Sequence, residues 1–114
     1  MSKRDPRVRL LHMRDYAQKA VAMAREQTRD DLDDDEKLRL ALTHLVELVG
    51  EAAGQIPPEH RAKHPEIPWP KVISMRHRLI HGYDFVDYDI LWETITGSLP
   101  GLIGALDRIL GEGA

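Results

Sequence analysis

The sequence predicts an all-α fold, an antiparallel up-and-down four-helix bundle with a proline-kinked last helix. Apolar residues recur at helical spacing along most of the chain, and no Val-, Ile- and Thr-rich run alternates like a strand. Most of the predicted connections are short, which favours antiparallel neighbours. The length of 114 residues indicates one helical domain over residues 1–114.

The first predicted helix runs from about Pro6 to about Thr28. Asp5 is its predicted N-cap, because a carboxylate can accept the free N–H groups of a first turn, and proline is tolerated at the first helical position. The predicted core stripe of this helix is Leu10 or Leu11, Met13, Ala17, Val21 and Ala24.

The second predicted helix runs from about Asp33 to about Ala53, and Gly54 is a plausible stop. It begins within the acidic run "DDLDDDE" at residues 30–36, interpreted as a solvated helix start, since acids favour helix N-termini. The predicted core positions are Leu38, Ala41, Leu42, Leu45, Leu48, Val49 and Ala52.

A long connection is predicted at residues 54–70, because five prolines in "GQIPPEHRAKHPEIPWP" cannot continue a helix. One helical turn is expected around residues 59–64. A connection of this length in a compact domain is more often functional than idle.

The third predicted helix runs from about Trp69 to His81 and ends at Gly82, a residue that suits the left-handed position after a helix. At about 100° per residue, its strongly apolar residues, Met75 excepted, bracket Arg76 on both sides. Arg76 is therefore expected in the middle of the core-facing stripe, where a guanidinium keeps its charge and needs a partner.

Two interpretations of Arg76 stay open at this point. In the first, its side chain reaches the edge of the stripe or pairs with a second-helix carboxylate such as Glu47 or Glu51. In the second, Arg76 belongs to a reactive site. His77 and His81 lie on another side of the helix. A bound phosphate, or a second copy across a two-fold axis, could bring Arg76 and His81 together.

The fourth predicted helix starts near Tyr88, after the predicted cap Asp87, and runs to about Leu110. Pro100 lacks a backbone N–H and should kink or split it.

The composition narrows the classes of function. A formal net charge of −3 argues against a chain that binds polyanions over its whole surface. The absence of cysteine excludes disulfides and thiolate metal sites and fits a reducing cytoplasm. No apolar run approaches the roughly 20 residues that span a bilayer, and no signal-peptide pattern opens the chain. We therefore expect a cytoplasmic protein that does not bind a membrane.

Basic residues and histidines gather at residues 60–81, where five Lys or Arg and four of the six histidines meet one acid, Glu66. An arginine and a histidine together suit cleavage of an RNA phosphodiester. The histidine can accept a 2′-hydroxyl proton, and the arginine can stabilise charge on the phosphate oxygens. A helix C-terminus favours an imidazolium, so His81 would be a better acid than base unless something offsets the dipole.

Metal binding is a competing interpretation of the histidines. The segments "HRLIH" and "HRAKH" each place two histidines at the i, i+4 spacing of a zinc pair. Neither has the adjacent glutamate of the H-E-x-x-H signature, and no third ligand stands out. Neither a metal nor a cofactor is therefore predicted. Tyr83 and Tyr88, beside Asp84 and Asp87, could simply form a turn with aromatic side chains at its rim.

The same region resembles a known family. "RHRLIHGY" fits the R-x-x-x-x-H-x-Y motif of the HepT-like toxins, which belong to the HEPN superfamily of helical ribonucleases. "ELVGEAAGQIP", "HPEIPW", "MRHRLIHGYDFVDYDILWETI" and "LPGL" occur in the order and at about the spacing of that family. The resemblance covers most of the chain from about Leu38 onward, and the first helix more weakly.

The resemblance implies an HEPN-like bundle that forms a homodimer with two copies of the motif in one cleft. It implies metal-independent RNA cleavage by Arg76 and His81, with toxic consequences for the cell. His77 stands where asparagine is common in the family. Tyr83 would be the tyrosine that an MntA-type nucleotidyltransferase antitoxin modifies with AMP.

These observations together predict a homodimeric ribonuclease toxin that acts on transfer or messenger RNA. Two other hypotheses remain. The chain could be a non-catalytic helical partner subunit of a minimal nucleotidyltransferase, or an interaction dimer in which Arg76 is only a buried ion-pair residue. The predicted supporting or RNA-binding residues are His77, Arg78, Arg61, Lys63 and Lys71.

Overall fold

The computed structural model describes residues 5–80 and 85–111. Within these ranges the regular structure is helical, and a single antiparallel bridge joins Ile80 to Val86. The prediction of an all-α fold is thus confirmed for the described residues, while the four-helix topology and the single domain stay predictions. The helices are α1 (Pro6–Ala24), α2 (Asp31–Asp34), α3 (Glu36–Gly54), α4 (Pro58–Arg61), α5 (Trp69–Ile73), α6 (Met75–Leu79), α7 (Tyr88–Glu93) and α8 (Leu99–Gly111), with a π-helical segment at Thr94–Ser98.

Helix α1 begins where the sequence predicts. Asp5 caps it by accepting the backbone N–H of Arg7 at 2.9 Å. The helix stops at Ala24, short of the predicted end, and Glu26 just beyond it has a φ of 72°, which is incompatible with a right-handed helix. Its buried residues are Leu10, Met13, Ala17, Ala20 and Ala24, so Ala20 takes the place expected for Val21.

The acidic run forms α2 and the cap of α3. Asp31 accepts the backbone N–H of Thr28 at 2.7 Å, and Asp35 accepts that of Leu38 at 3.0 Å. Asp35 is the N-cap, so α3 begins at Glu36, slightly later than predicted. The bond from Leu38 satisfies an N–H group in the first turn of α3 that has no partner within the helix, so the end of the acidic run forms a helix start, as predicted.

Helix α3 contacts α1, α5 and α6. Gly50 lies against the next segment of the chain: a Cβ added there would be 3.0 Å from the carbonyl oxygen of Val72 and 3.4 Å from that of Ile73. The missing side chain therefore lets α5 pack directly on the backbone of α3. The buried residues of α3 are Leu38, Leu42, Val46, Val49, Gly50, Ala52 and Ala53.

The proline-rich connection contains one short helix, α4, close to the turn expected at residues 59–64. Trp69, at the start of α5, is buried and donates its indole N–H to the carbonyl oxygen of His64 at 3.0 Å. Ile56 and Ile67 are also buried. The connection is thus tied to the core at both ends.

The prediction of one continuous third helix from Trp69 to His81 is wrong. The chain breaks between α5 and α6 at Ser74, whose φ of −91° and ψ of 9° leave the helical range. Helix α6 ends at Leu79, and Ile80 is extended, with φ −103° and ψ 119°. The helix therefore ends before its predicted last residue, His81, which itself lies outside the described residues.

This break also overturns the predicted position of Arg76. Met75, which the sequence places off the core stripe, is 3% exposed, whereas 58% of the Arg76 side chain is exposed. The angular argument assumes one unbroken helix. The non-helical Ser74 changes the phase of α6 relative to α5, so that Met75 and Leu79 face the core instead of Arg76.

The last helical segment runs from 88 to 111 and includes α7, the π-helical segment and α8. Asp87 caps it as predicted, accepting two backbone N–H groups at 3.0 and 3.1 Å. Pro100 follows directly after the π-helical segment, where the N–H of Leu99 donates to the carbonyl of Thr94. The helix is thus irregular next to Pro100, as predicted. The irregularity is a wider π-helical turn, and the chain is helical on both sides of that turn. In the described parts of the chain, no helix has the length and apolarity to cross a bilayer.

Candidate functional site

Helix α6 carries three consecutive basic or titratable residues on its outer surface. Arg76, His77 and Arg78 are all exposed, while Met75 and Leu79 at the two ends of the helix are buried. The two apolar side chains fix α6 on the core, and the three polar side chains between them face solvent. This short helix therefore offers a compact positive surface to an anionic ligand.

A carboxylate of α3 anchors Arg76. The Nε of Arg76 donates a hydrogen bond to Oε2 of Glu47 at 2.9 Å. The side chain of Glu47 is 24% exposed against 58% for Arg76, so the ion pair lies at the surface. Of the two partners suggested by the sequence, Glu47 makes the contact. Glu51, exposed one turn further along α3, forms no ion pair with any described residue.

The ion pair occupies only part of the Arg76 guanidinium. An arginine has five N–H donors, and no described residue other than Glu47 accepts a hydrogen bond from Arg76. The two terminal nitrogens, Nη1 and Nη2, form a planar fork whose spacing matches two oxygens of a phosphate. The interpretation of Arg76 as a buried ion-pair residue is therefore correct about the pairing and wrong about the burial.

The side chains of the next two residues of α6 have no partner within residues 5–80 and 85–111: neither His77 nor Arg78 forms a hydrogen bond or ion pair there through its side chain. Both can therefore contact a ligand without first breaking a bond to the described part of the chain.

The remaining residues of the motif, His81 and Tyr83, lie outside the described residues, so their predicted roles stay predictions. The chain on either side of them is described. Ile80 and Val86 pair in the antiparallel bridge, directly after the C-terminal end of α6. Ile80 and Val86 therefore lie side by side next to the helix that carries Arg76.

Three more predicted RNA-binding residues lie at the proline-rich connection and the start of α5. Lys63 and Lys71 are exposed. Arg61, in α4, is half-buried, and its Nε is buried without a hydrogen-bond partner among the described residues. It lines an open pocket with Trp69 and four prolines of the connection. No described contact joins these three side chains to Arg76.

The two histidines of "HRAKH" are neighbours, with ring centroids of His60 and His64 5.6 Å apart. Burial lowers the pKa of His60, and the nearby charges of Lys63 and His64 lower that pKa further. Among residues 5–80 and 85–111, no group of three or more histidine, aspartate or glutamate side chains is arranged to hold a metal ion.

Glu47 is the site residue that sequence reasoning did not recognise as such. The sequence suggested it only as a structural counter-ion, yet it directly contacts Arg76. A feature of the sequence three residues after Glu47 could have indicated a close contact in this part of α3. Gly50 lies inside this helix, and a glycine inside a helix can mark a close approach of another backbone. The segment that approaches Gly50 is the one that leads into α6.

Comparison with known proteins identifies the family. The family model described as "Ribonuclease HepT-like" matches residues 13–109. "Probable ribonuclease HepT" of Thermococcus cleftensis is 35% identical over 102 residues, which cover 86% of this chain and 92% of that protein. "Putative RNase TTE0752" of Caldanaerobacter subterraneus is 34% identical over 105 residues, covering 92% and 94%. No solved structure shows a significant match. The chain therefore belongs to the HepT-like ribonuclease family.

Proposed function

We propose that this chain is a metal-independent endoribonuclease and the toxin of a HepT/MntA-type toxin–antitoxin system. Family membership and the ribonuclease names of its relatives support an RNA-cleaving activity. The structural observation that carries the proposal is the state of Arg76. Its guanidinium is exposed and fixed at Nε by Glu47, and its terminal nitrogens have no partner among the described residues.

The proposed reaction is transfer of the RNA phosphate to the neighbouring 2′-oxygen. A base takes the 2′-hydroxyl proton, the 2′-oxygen forms a bond to phosphorus, and the bond from phosphorus to the 5′-oxygen breaks. An acid protonates the leaving 5′-oxygen, so the products are a 2′,3′-cyclic phosphate and a 5′-hydroxyl. Arg76 stabilises the charge that develops on the non-bridging oxygens. None of these steps needs a metal ion.

His81 is the proposed proton-transfer group. One histidine cannot easily act as base and acid in the same turnover, and a homodimer with both motifs in one cleft would supply two. One His81 would then act as base and the other as acid, each within reach of an Arg76.

RNA would be held mainly through its phosphates. Such contacts carry little sequence information and weaken steeply with salt. We therefore expect the affinity for RNA to fall as the salt concentration rises. The substrate class that we propose is transfer or messenger RNA. The residues proposed to contact it, in addition to Arg76, are His77, Arg78, Arg61, Lys63 and Lys71.

Tyr83 is the proposed site of inhibition, by transfer of AMP from an MntA-type nucleotidyltransferase partner. The added phosphate brings negative charge close to the catalytic residues of the motif. Arg76 or Arg78 could then pair with that phosphate instead of with RNA. Modification would therefore block the substrate site without any large movement of the helices.

The decisive experiment incubates the purified protein with cellular RNA in the presence of a chelator. The wild type should cleave RNA, whereas Arg76→Ala and His81→Ala should not, although both should still form a folded dimer. Cleavage by a folded His81→Ala dimer would contradict the proposed mechanism. Tight binding to the nucleotidyltransferase without cleavage by the wild type would favour the alternative of a non-catalytic partner subunit.

A further inference from the structure

We infer that Glu47 is a positioning residue for Arg76. Its carboxylate holds the guanidinium so that the terminal nitrogens point at the scissile phosphate. This inference rests on the proposed ribonuclease function and deepens it, since it adds to the site a residue from α3, outside the segment that carries the motif. It is based on the 2.9 Å hydrogen bond from Arg76 Nε to Glu47 Oε2.

The two ends of this hydrogen bond differ in how firmly the fold holds them. Glu47 is in the middle of α3, between the buried residues Val46 and Val49 and one turn before Gly50, on which α5 packs. Arg76 extends from α6, a helix of five residues that follows a break at Ser74. A long, 58% exposed arginine side chain on such a short helix has many accessible rotamers. Glu47 therefore gives the guanidinium a fixed point on a well-packed helix.

The effect of Glu47 on the site depends on which guanidinium nitrogen it contacts. Contact at Nε leaves the Nη1 and Nη2 edge of Arg76 open, and that edge can donate two parallel hydrogen bonds to the non-bridging oxygens of a phosphate. The hydrogen bond at Nε fixes the plane of the guanidinium and hence the direction of this edge. Ordering before substrate binds lowers the barrier of the reaction, because donors need not reorganise as charge develops.

The same carboxylate also has an unfavourable effect. A negative charge beside Arg76 repels the phosphate backbone of RNA and weakens binding. Glu47 should therefore raise kcat and at the same time raise KM. Removal of Glu47 should accordingly lower both kcat and KM, whereas loss of a residue that acts only on the stability of the fold would not lower the two constants together.

The chain offers a matched control on the same helix. Glu51 lies four residues after Glu47, so it is one turn away on the same face of α3. It is exposed and forms no ion pair with a described residue. Glu51→Gln therefore removes a charge from the same surface without touching the contact to Arg76.

The test measures kcat and KM on a short RNA for the wild type, Glu47→Ala, Glu47→Gln and Glu51→Gln. We expect Glu47→Ala to lower kcat by about 10–100-fold without raising KM, as is typical when a supporting hydrogen bond is lost. Glu47→Gln keeps an amide oxygen that can accept from Nε, so it should keep kcat within about fivefold of the wild type. Glu51→Gln should leave kcat unchanged.

A double-mutant cycle with Arg76→Lys completes the test, because lysine keeps the charge and loses the planar fork. If Glu47 acts through Arg76, its removal should have little further effect on kcat in the Arg76→Lys background. Wild-type kcat in Glu47→Ala, additive effects in the cycle, or equal losses in Glu47→Gln and Glu47→Ala would each overturn the inference. Absence of cleavage by the wild type would instead overturn the proposed function, and this inference with it.

Discussion

Arg76 and Glu47 join α6 to α3 through a surface ion pair of 2.9 Å between Nε and Oε2. The arginine that the sequence places in the core is thereby held at the surface by a residue 29 positions earlier in the chain. The pair matters for the site because it orients a cation that a ligand can still reach. Its position also predicts how the protein should respond when the pair is removed.

The first prediction is that Arg76→Ala abolishes RNA cleavage and hardly changes stability. Because the pair is largely solvated, its loss should cost no more than about 1 kcal/mol of the free energy of unfolding. Thermal denaturation and size-exclusion chromatography of the variant, beside a cleavage assay, measure both quantities. Unfolding or dissociation of Arg76→Ala would instead favour the hypothesis that Arg76 serves only as a structural ion-pair residue.

The features that the sequence predicts well are those set by local chemistry. Asp5 and Asp87 cap the helices that they were expected to cap, because a capping bond depends only on the next few residues. The sequence does not predict the exposure of Arg76, because this exposure depends on the break in the helix at Ser74. The break is accompanied by a close contact between α3 and α5 at Gly50. The spacing of apolar residues along one helix does not reveal such a contact between two helices.

For the candidate site, the motif residues were recognised from the resemblance, and Glu47 was recognised only as a possible counter-ion. The pairing of Arg76 is confirmed by the structure. The roles of His81 and Tyr83 stay predictions, because both residues lie outside the described part of the chain. Sequence reasoning can thus propose reacting groups from a motif, whereas the residue that contacts one of them, Glu47, emerges only from the packing of separate helices.

The second prediction concerns Gly50. A Cβ at this position would lie 3.0 Å from the carbonyl oxygen of Val72, a backbone atom that cannot move without shifting α5. Gly50→Ala should therefore lower the free energy of unfolding by about 1–3 kcal/mol, the usual cost of overpacking. Chemical denaturation measures this loss. The same displacement should lower the cleavage rate, since α6 follows α5 in the chain.

Gly101 provides the control for that substitution. It lies in α8, and an added Cβ there would meet no atom within 4 Å. Gly101→Ala should stabilise the protein by up to about 1 kcal/mol, because alanine is the better helix former. Equal stability of the two variants would show that α5 does not depend on the close approach at Gly50.

The third prediction separates two neighbouring acids of the run at residues 30–36. Asp35 accepts the backbone N–H of Leu38 at 3.0 Å as the N-cap of α3, whereas Asp34 is exposed and its side chain accepts no hydrogen bond from a described residue. Asp35→Ala should cost about 0.5–2 kcal/mol of the free energy of unfolding. Asp34→Ala should change it by less than about 0.5 kcal/mol. Urea denaturation of the two variants distinguishes a capping role from a general effect of negative charge, which would affect both equally.

The fourth prediction is a dependence of stability on pH through His60. Its pKa in the folded protein is lowered from 6.5, first by burial and then by Lys63 and His64, while Glu59 and Asp5 act in the opposite direction. The unfolded chain therefore binds a proton to this residue more readily than the folded chain does. As the pH falls below about 6.5, the His60 contribution should destabilise the fold progressively, until the pH has passed below the folded pKa. Above about pH 7 it should contribute nothing.

The comparison that isolates this effect uses the wild type and His60→Gln. The difference in unfolding free energy between the wild type and His60→Gln should change in favour of the variant between pH 7 and pH 5, because glutamine removes the cost of excluding a proton. A His60→Gln difference that stays constant over this range would show that the imidazole of His60 takes up its proton equally well in the folded and unfolded chains.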